Sequence, residues 1–478
     1  MVVGVFDLVI VGMGSAGVTA AEFAARLDLE VAVVERAKVG GDDLWSGSVP
    51  SKALLASARA AHAMRTADRF GIEPVEPVVD LARVWRRVRA VQADIAATDA
   101  HPRRFVDLGA EVVIGEARLT GPEEVTVVCP DGTERVLATR FVLLCTGSRP
   151  AVPDIRGLPA TATWTTESIF HVDAPPSRLA VVGGGPMGTE MAQALQRLGV
   201  QVTVFQRAHT LLPREDEGLS ARLTAVLRRE GVAVHCSADV RRITSTGDEH
   251  VVRAVVGHDG REVAVPVGGV LLATGRVPNT DDLGLDLLGI TVGPDGIEVD
   301  DAGRTNVRSV YAVGDVTRGH DLTNAAAYEA VVAVRDMFFP GRGSADGTVP
   351  RCVYTEPEFA RVGLTVQEAE ARPGADVDAW RLELTHNQRA RTDAATDGCL
   401  VVVTAKGRVV GAHLLAPHAG EMVHELAVAV QQQLRLDDLA DVVHAHPTIA
   451  GGIGQLAAEA AYEKAHRLRW LMKKRPAR

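Results

Sequence analysis

An almost unbroken apolar run, Phe6-Asp7-Leu8-Val9-Ile10-Val11, reads as a short buried strand. A helical run from Ala16 to about Leu27 follows it, and then a second apolar run, Val31 to Val34, that ends in Glu35. Between the first strand and the helix stands Gly12-x-Gly14-x-x-Gly17. Gly12 allows a tight turn, Gly14 lets the backbone approach a pyrophosphate, and Gly17 lets helix and strand pack closely. The helix N-terminus attracts the phosphate charge. Glu35 can accept hydrogen bonds from ribose hydroxyls. Strand, glycine loop, helix, second strand and acid together predict a Rossmann-like dinucleotide-binding unit.

The pattern recurs. Leu179-Ala180-Val181-Val182 leads into Gly183-x-Gly185-x-x-Gly188, a helix, and Val202-Thr203-Val204-Phe205, and the offset between first glycines is 183 − 12 = 171 residues. Two units imply two bound dinucleotides. The position that matches Glu35 holds Gln206, and Arg207 follows. A carboxylate there would favour the 2′-hydroxyl of NADH and repel a 2′-phosphate, whereas arginine can bond a phosphate through two N–H groups. Arg207, with Arg214 nearby, therefore favours NADPH over NADH. The competing reading of Arg207 is a solvated surface charge.

Composition narrows the class. A chain of 478 residues is too long for one core and should split into about three domains. A hydrophobic share of 46% is ordinary for a globular protein, and a net charge of −10 argues against nucleic acid as a partner. The five cysteines form neither a C-x-x-C pair nor a zinc pattern, so they read as buried reduced thiols of a cytoplasmic protein, and no metal site is expected. No basic segment precedes the first strand, so no secretory leader is expected, and no apolar run is long enough to span a bilayer. The tail from Glu463 to Arg478 is basic, and fits either a contact with anionic lipid or a solvated, disordered end.

Gly40-Gly41-Asp42-Asp43-Leu44-Trp45-Ser46-Gly47-Ser48-Val49-Pro50-Ser51-Lys52 resembles the active-site loop of the pyridine nucleotide-disulfide oxidoreductases, the family of dihydrolipoamide dehydrogenase, glutathione reductase and mercuric reductase. In that family two cysteines stand where Asp43 and Ser48 stand here, and their disulfide carries electrons from flavin to substrate. A carboxylate and a hydroxyl cannot accept two electrons reversibly. Further segments resemble the family: Leu144-Cys145-Thr146-Gly147, Leu272-Ala273-Thr274-Gly275-Arg276-Val277-Pro278-Asn279, Tyr311-Ala312-Val313-Gly314-Asp315 and Tyr354-Thr355-Glu356-Pro357-Glu358.

The resemblance implies an α/β fold, with two Rossmann-like domains and a C-terminal α+β dimerisation domain that pairs two chains. Its expected boundaries are 1–150 for the first part of the FAD domain, 151–272 for the NAD(P)H domain, 273–346 for the rest of the FAD domain and 347–478 for the interface domain. It assigns FAD to the first unit and the nicotinamide nucleotide to the second. Besides Gly12, Gly14, Gly17 and Glu35, it places Arg36, Gly41, Ala117, Thr146, Gly147, Arg276, Gly314 and Asp315 in the FAD site. Gly183, Gly185, Gly188, Arg207 and Gly275 fall to the nicotinamide nucleotide. Lys52 and Glu190 match a family pair beside the flavin. Ser48 should lie against the flavin ring with Asp43 further out, and Trp45 offers an aromatic wall. His444-Ala445-His446-Pro447 resembles the family's acid-base segment, but Gly451 replaces the glutamate that orients its histidine. His446 is then either an acid-base group reaching a partner's site or a solvated residue of the cleft.

The expected function is an FAD-dependent NAD(P)H oxidoreductase that passes electrons from reduced flavin directly to a small acceptor such as a quinone. The alternatives are a soluble pyridine nucleotide transhydrogenase and a non-catalytic flavin- or nucleotide-binding protein.

Overall fold

The computed structural model describes residues 5–471 apart from 248, 258, 259, 318, 320, 321, 342, 346, 347 and 375. The first predicted strand, Phe6–Val11, lies at the centre of its sheet. It pairs in parallel with Val31–Glu35 on one side and with the second half of Glu134–Leu144 on the other. In residue numbers, the strand order is 111–114, 31–35, 6–11, 134–144, 124–128 and 116–121, and Val310–Ala312 adds in parallel beside 134–144. This central place explains the unbroken apolar run: Leu8, Val9 and Ile10 are wholly buried, so no face of the strand meets water. The helices Ser15–Ala25 and Thr323–Phe338 pack together over the sheet.

The second unit repeats the plan as a five-stranded parallel sheet in the order 233–235, 201–205, 178–182, 269–272 and 163–165. Each unit turns from strand to helix through a left-handed glycine, Gly12 at φ +99 and Gly183 at φ +107. A Cβ at Gly12 would come within 2.4 Å of the Cys145 carbonyl oxygen, and one at Gly183 within 2.1 Å of that of Ala273, so both conformation and space demand glycine. The acid at the end of the second strand is matched as well. Glu35 Oε2 accepts the Met13 N–H at 2.8 Å, and Gln206 Oε1 accepts the Gly184 N–H at 3.1 Å.

The C-terminal part is a five-stranded antiparallel sheet in the order 351–353, 358–363, 408–416, 399–405 and 377–383. The helices Ala419–Gln431 and Gly451–Arg467 bury Leu426, Ile453 and Leu456 in the core that they share with it. Side chains join the parts. Trp85, wholly buried on the helix Leu81–Thr98, donates its indole N–H to the Ile169 carbonyl at 2.8 Å. Arg197 of the second unit is ion-paired with Glu230 at 2.7 Å and with Glu356 of the C-terminal part.

The basic tail differs from the disordered end expected. Glu463 to Arg467 continue the helix Gly451–Arg467, and Lys464 pairs with Asp437, so helix propagation and a charge partner order this stretch. Lys473, Lys474, Arg475 and Arg478 lie outside the described residues. No helix among the described residues is long and apolar enough to cross a membrane.

Candidate active site

A continuous cavity of about 2430 Å³ is lined by both glycine loops, by the loop 40–52 and by the C-terminal sheet. At the first glycine loop, Glu35 presents a carboxylate whose two oxygens already hold the Met13 and Ala37 N–H groups, each at 2.8 Å. Those bonds fix its direction and leave a lone pair on each oxygen for a ribose. Arg36 and Ala117 line the cavity nearby. Gly41 packs directly on the fingerprint, since a Cβ there would lie 2.6 Å from the Cα of Gly14. Gly17 does not line the cavity. Its hydrogen faces the Gly12 carbonyl, where a Cβ would stand at 1.8 Å, and Gly188 meets Gly183 likewise at 2.1 Å. Both glycines serve the site through close packing, not through ligand contact.

Thr146 and Asn279 bind each other's backbone carbonyls at 2.8 and 2.9 Å, which locks the two crossover segments together. Arg276 sits between two acids, with Asp42 at 3.0 Å and Asp315 at 3.6 Å, and its Nε donates to Ser148 Oγ at 2.6 Å. Ser148 in turn donates to Asp315 at 2.7 Å. Glu329 is held nearby by the Gly314 N–H at 2.8 Å, and burial raises its pKa above the ordinary carboxylate value. Gly147, Gly275 and Gly314 complete this stretch of the lining.

The loop 40–52 forms a short helix, Gly41–Trp45, then turns at Gly47 and enters the helix Ser48–Arg65. Asp43 Oδ1 accepts the Thr323 hydroxyl at 2.9 Å, 280 residues away in sequence. Ser48 opens the longer helix and lines the cavity. The backbone of the loop is pinned from behind: Gln92, 3% exposed, donates to the carbonyls of Leu44 at 3.0 Å and Trp45 at 2.9 Å. Trp45 is tied as well, its N–H on the Val39 carbonyl at 2.9 Å and the Lys38 ammonium 4.5 Å from the centre of its ring. The ring lines the cavity, but as a wall it has a cation over one face.

Lys52 and Glu190 do meet, with Lys52 Nζ 2.9 Å from Glu190 Oε2. Glu190 also accepts the Tyr354 N–H at 2.8 Å, and Lys52 lies 4.4 Å from the centre of the Tyr354 ring. Burial, with Cys352 and Glu190 beside it, pushes the Tyr354 hydroxyl up to about 12. All five cysteines are free, and burial raises the thiols of Cys145, Cys236, Cys352 and Cys399, so none of these four is poised as a thiolate.

At the second glycine loop Gln206 occupies both ends of its amide, since Nε2 also donates to the Thr210 carbonyl at 3.3 Å. Arg207 and Arg214 are exposed, line the cavity and make no ion pair among the described residues. A Cβ at Gly185 would enter open space.

His446 is exposed and does not line the cavity of its own chain. A Cβ at Gly451 would meet only Thr448 Oγ1, at 3.4 Å, and the Ala445 carbonyl, at 3.8 Å. His444 is the histidine with a carboxylate, its Nε2 3.1 Å from Glu425 Oε1.

Sequence reasoning missed Gln92, Thr323 and the His444–Glu425 pair. Gln92 carried a signal: with Trp85 and Val88 it shares the buried face of one helix, where a lone amide must find partners. Thr323 and Glu425 carried none, because their partners are distant in sequence.

Family models match nearly the whole chain. Residues 6–330 match the pyridine nucleotide-disulphide oxidoreductase model, and residues 349–457 match the dimerisation domain of the same family. The chain belongs to the pyridine nucleotide-disulphide oxidoreductase family, whose members use FAD and NAD(P)H. It is 31% identical to a dihydrolipoyl dehydrogenase of Bacillus subtilis, over 96% of this chain and 99% of that one. It is 32% identical to a mercuric reductase of Shigella flexneri, over 95% of this chain and 81% of that one. Among solved structures, LpdA from Mycobacterium tuberculosis superposes with a TM-score of 0.87 at 29% identity, covering 95% of this chain and 99% of that one. A copper(II) complex of the HOCl-induced flavoprotein disulfide reductase RclA from Escherichia coli gives a TM-score of 0.84 at 25% identity, covering 96% and 100%.

Proposed function

We propose that this protein is a flavoprotein NAD(P)H oxidoreductase without a redox disulfide, favouring NADPH, that passes electrons from FAD directly to a small acceptor of the quinone class. The observation that carries the reading is the loop 40–52. It packs on the first glycine loop, and its two positions that resemble the family's cysteines hold Asp43 and Ser48. The raised thiols at Cys145, Cys236, Cys352 and Cys399 support it, since none of them is a ready substitute.

The residues present fit FAD: a cradle that a Cβ would fill at Gly12 and Gly41, an oriented ribose acceptor in Glu35, and Asp315 held by Arg276 and Ser148 for the polyol chain. When bound, FAD supplies a two-electron relay between nicotinamide and acceptor. Lys52, anchored by Glu190, places an ammonium in the same lining as Ser48 and can offset negative charge there. Arg207 and Arg214, both exposed and without an ion-pair partner among the described residues, are available to a 2′-phosphate. His446, from a second copy of the chain in a homodimer, delivers a proton to an acceptor oxygen. The sum balances: NADPH, one proton and a quinone give NADP⁺ and a hydroquinone. The domain boundaries 1–150, 151–272, 273–346 and 347–478 and a cytoplasmic location belong to the same proposal.

Anaerobic titration tests it. The holoprotein should take up two electrons per FAD, with no thiolate-to-flavin charge-transfer band, and NADPH-reduced protein should reoxidise rapidly with benzoquinone. Uptake of four electrons would show that another cysteine pair serves as a disulfide. Slow reoxidation by quinones beside fast reoxidation by NAD would move the assignment to a transhydrogenase, and flavin that NADPH cannot bleach would make it a non-catalytic binding protein.

A further inference from the structure

We propose that Asp43 charges the acceptor side of the cavity negatively and makes it select uncharged planar acceptors over anionic ones, an inference that rests on the quinone reading above. Two adjacent carboxylates in the loop have opposite circumstances. Asp42 is neutralised, with Arg276 at 3.0 Å and the Ser46 hydroxyl also on it. Asp43 makes no ion pair among the described residues, and its hydrogen bond comes from a neutral hydroxyl, that of Thr323. Thr323 opens the helix Thr323–Phe338, whose N-cap residue Leu322 offers no side-chain cap. The carboxylate is therefore oriented and drawn toward the helix start, but its charge is not cancelled by a cation.

Asp43 lines the cavity beside Ser48, and next to Thr323 the lining continues through Leu322, Asn324 and Ala327. Glu35 takes the adenosine side of a dinucleotide bound at the first glycine loop. The remainder of that ligand would then be held by Asp315, Lys52 and Ser48, which line the same cavity as Asp43 and would leave Asp43 to face an acceptor. Two cations of the lining are already engaged, Lys52 by Glu190 and Arg276 by Asp42 and Asp315, and Arg351 follows Pro350, whose carbonyl holds Asn324. A sulfonate or carboxylate on an acceptor meets a like charge in a cleft partly shielded from water, where screening by salt is incomplete. This expected discrimination is on the order of tenfold, between what like charges about 4 Å apart exert in bulk water and what they exert near a protein surface.

The test compares the wild-type holoprotein with Asp43→Asn, which keeps an oxygen for Thr323 and removes the charge. Binding of two redox-inert probes, naphthalene-2-sulfonate and 2-naphthol, is read from the perturbation of the flavin spectrum. Turnover with NADPH is read for a sulfonated and an unsubstituted naphthoquinone. Asp43→Asn should tighten the sulfonate and raise kcat/KM for the sulfonated quinone by about tenfold, with the uncharged partners changed less than about twofold. Thr323→Val, which removes the hydroxyl and keeps the charge, should retain the wild-type selectivity, so a loss of selectivity caused only by loosened structure would show there. Unchanged selectivity of Asp43→Asn in both arms overturns the proposal. If neither protein reduces quinones while Asp43→Asn still tightens the sulfonate, the quinone reading falls and the role of Asp43 stands.

Discussion

Replacing Lys52 by methionine should destabilise the holoprotein locally, and the structure sets the size of the effect. Lys52 Nζ lies 2.9 and 3.3 Å from the two oxygens of Glu190, whose side chain is 3% exposed against 31% for the lysine. Removing the ammonium leaves Glu190 with the Tyr354 N–H at 2.8 Å. Stranding a charge in a fully buried pair costs about 3–5 kcal/mol. Water reaches nearly a third of Lys52, so the expected cost is lower, about 2 kcal/mol, including the lost contact with the Tyr354 ring at 4.4 Å. In thermal unfolding followed by release of flavin fluorescence, that corresponds to a fall of about 4–8 °C for a domain of 150–250 residues. Changing both partners, Lys52→Met with Glu190→Leu, should cost less than the sum of the single variants, because no unpaired charge remains. Strict additivity, or a Lys52→Met protein with the wild-type melting temperature, would refute the claim that the two side chains act as a pair.

Gly14→Val should yield a folded protein without flavin, measured by absorbance after desalting, because its side chain would enter the cavity where the pyrophosphate approaches the backbone. Retained stoichiometric flavin would remove the first glycine loop from the FAD site. NADPH should reduce the flavin faster than NADH in stopped flow, and Arg207→Glu should reverse or erase that preference by repelling the 2′-phosphate. A wild-type preference for NADH would make Arg207 a bystander.

What could be seen beforehand follows the range of the interactions. The strand Phe6–Val11 and its glycine loop were legible because a central parallel strand must be apolar on both faces and a tight strand-to-helix turn must be glycine. The second unit was legible by repetition, down to Gln206 in the place of Glu35. The Lys52–Glu190 pair spans 138 residues, so only family resemblance could bring it together beforehand, and nothing local marks it. The Asp43–Thr323 bond has neither periodicity nor a motif to announce it, and a carboxylate in a new place finds whichever donor the fold presents. His446 is a different case. Its motif is legible in the sequence, whereas the pairing of His444 with Glu425, on the helix Ala419–Gln431, is not.

Glu190 has a temporal consequence as well as an energetic one. It joins an ammonium from residue 52, a carboxylate from residue 190 and an amide from residue 354, so the three belong to the beginning, the middle and the last third of the polypeptide. During synthesis the first glycine loop, its helix and its acid emerge early, but their sheet is completed by 134–144 and 310–312 and their helix packs on Thr323–Phe338. The lysine beside them gains its counter-charge only when the second unit has folded, and that carboxylate gains its backbone donor only when the C-terminal sheet docks.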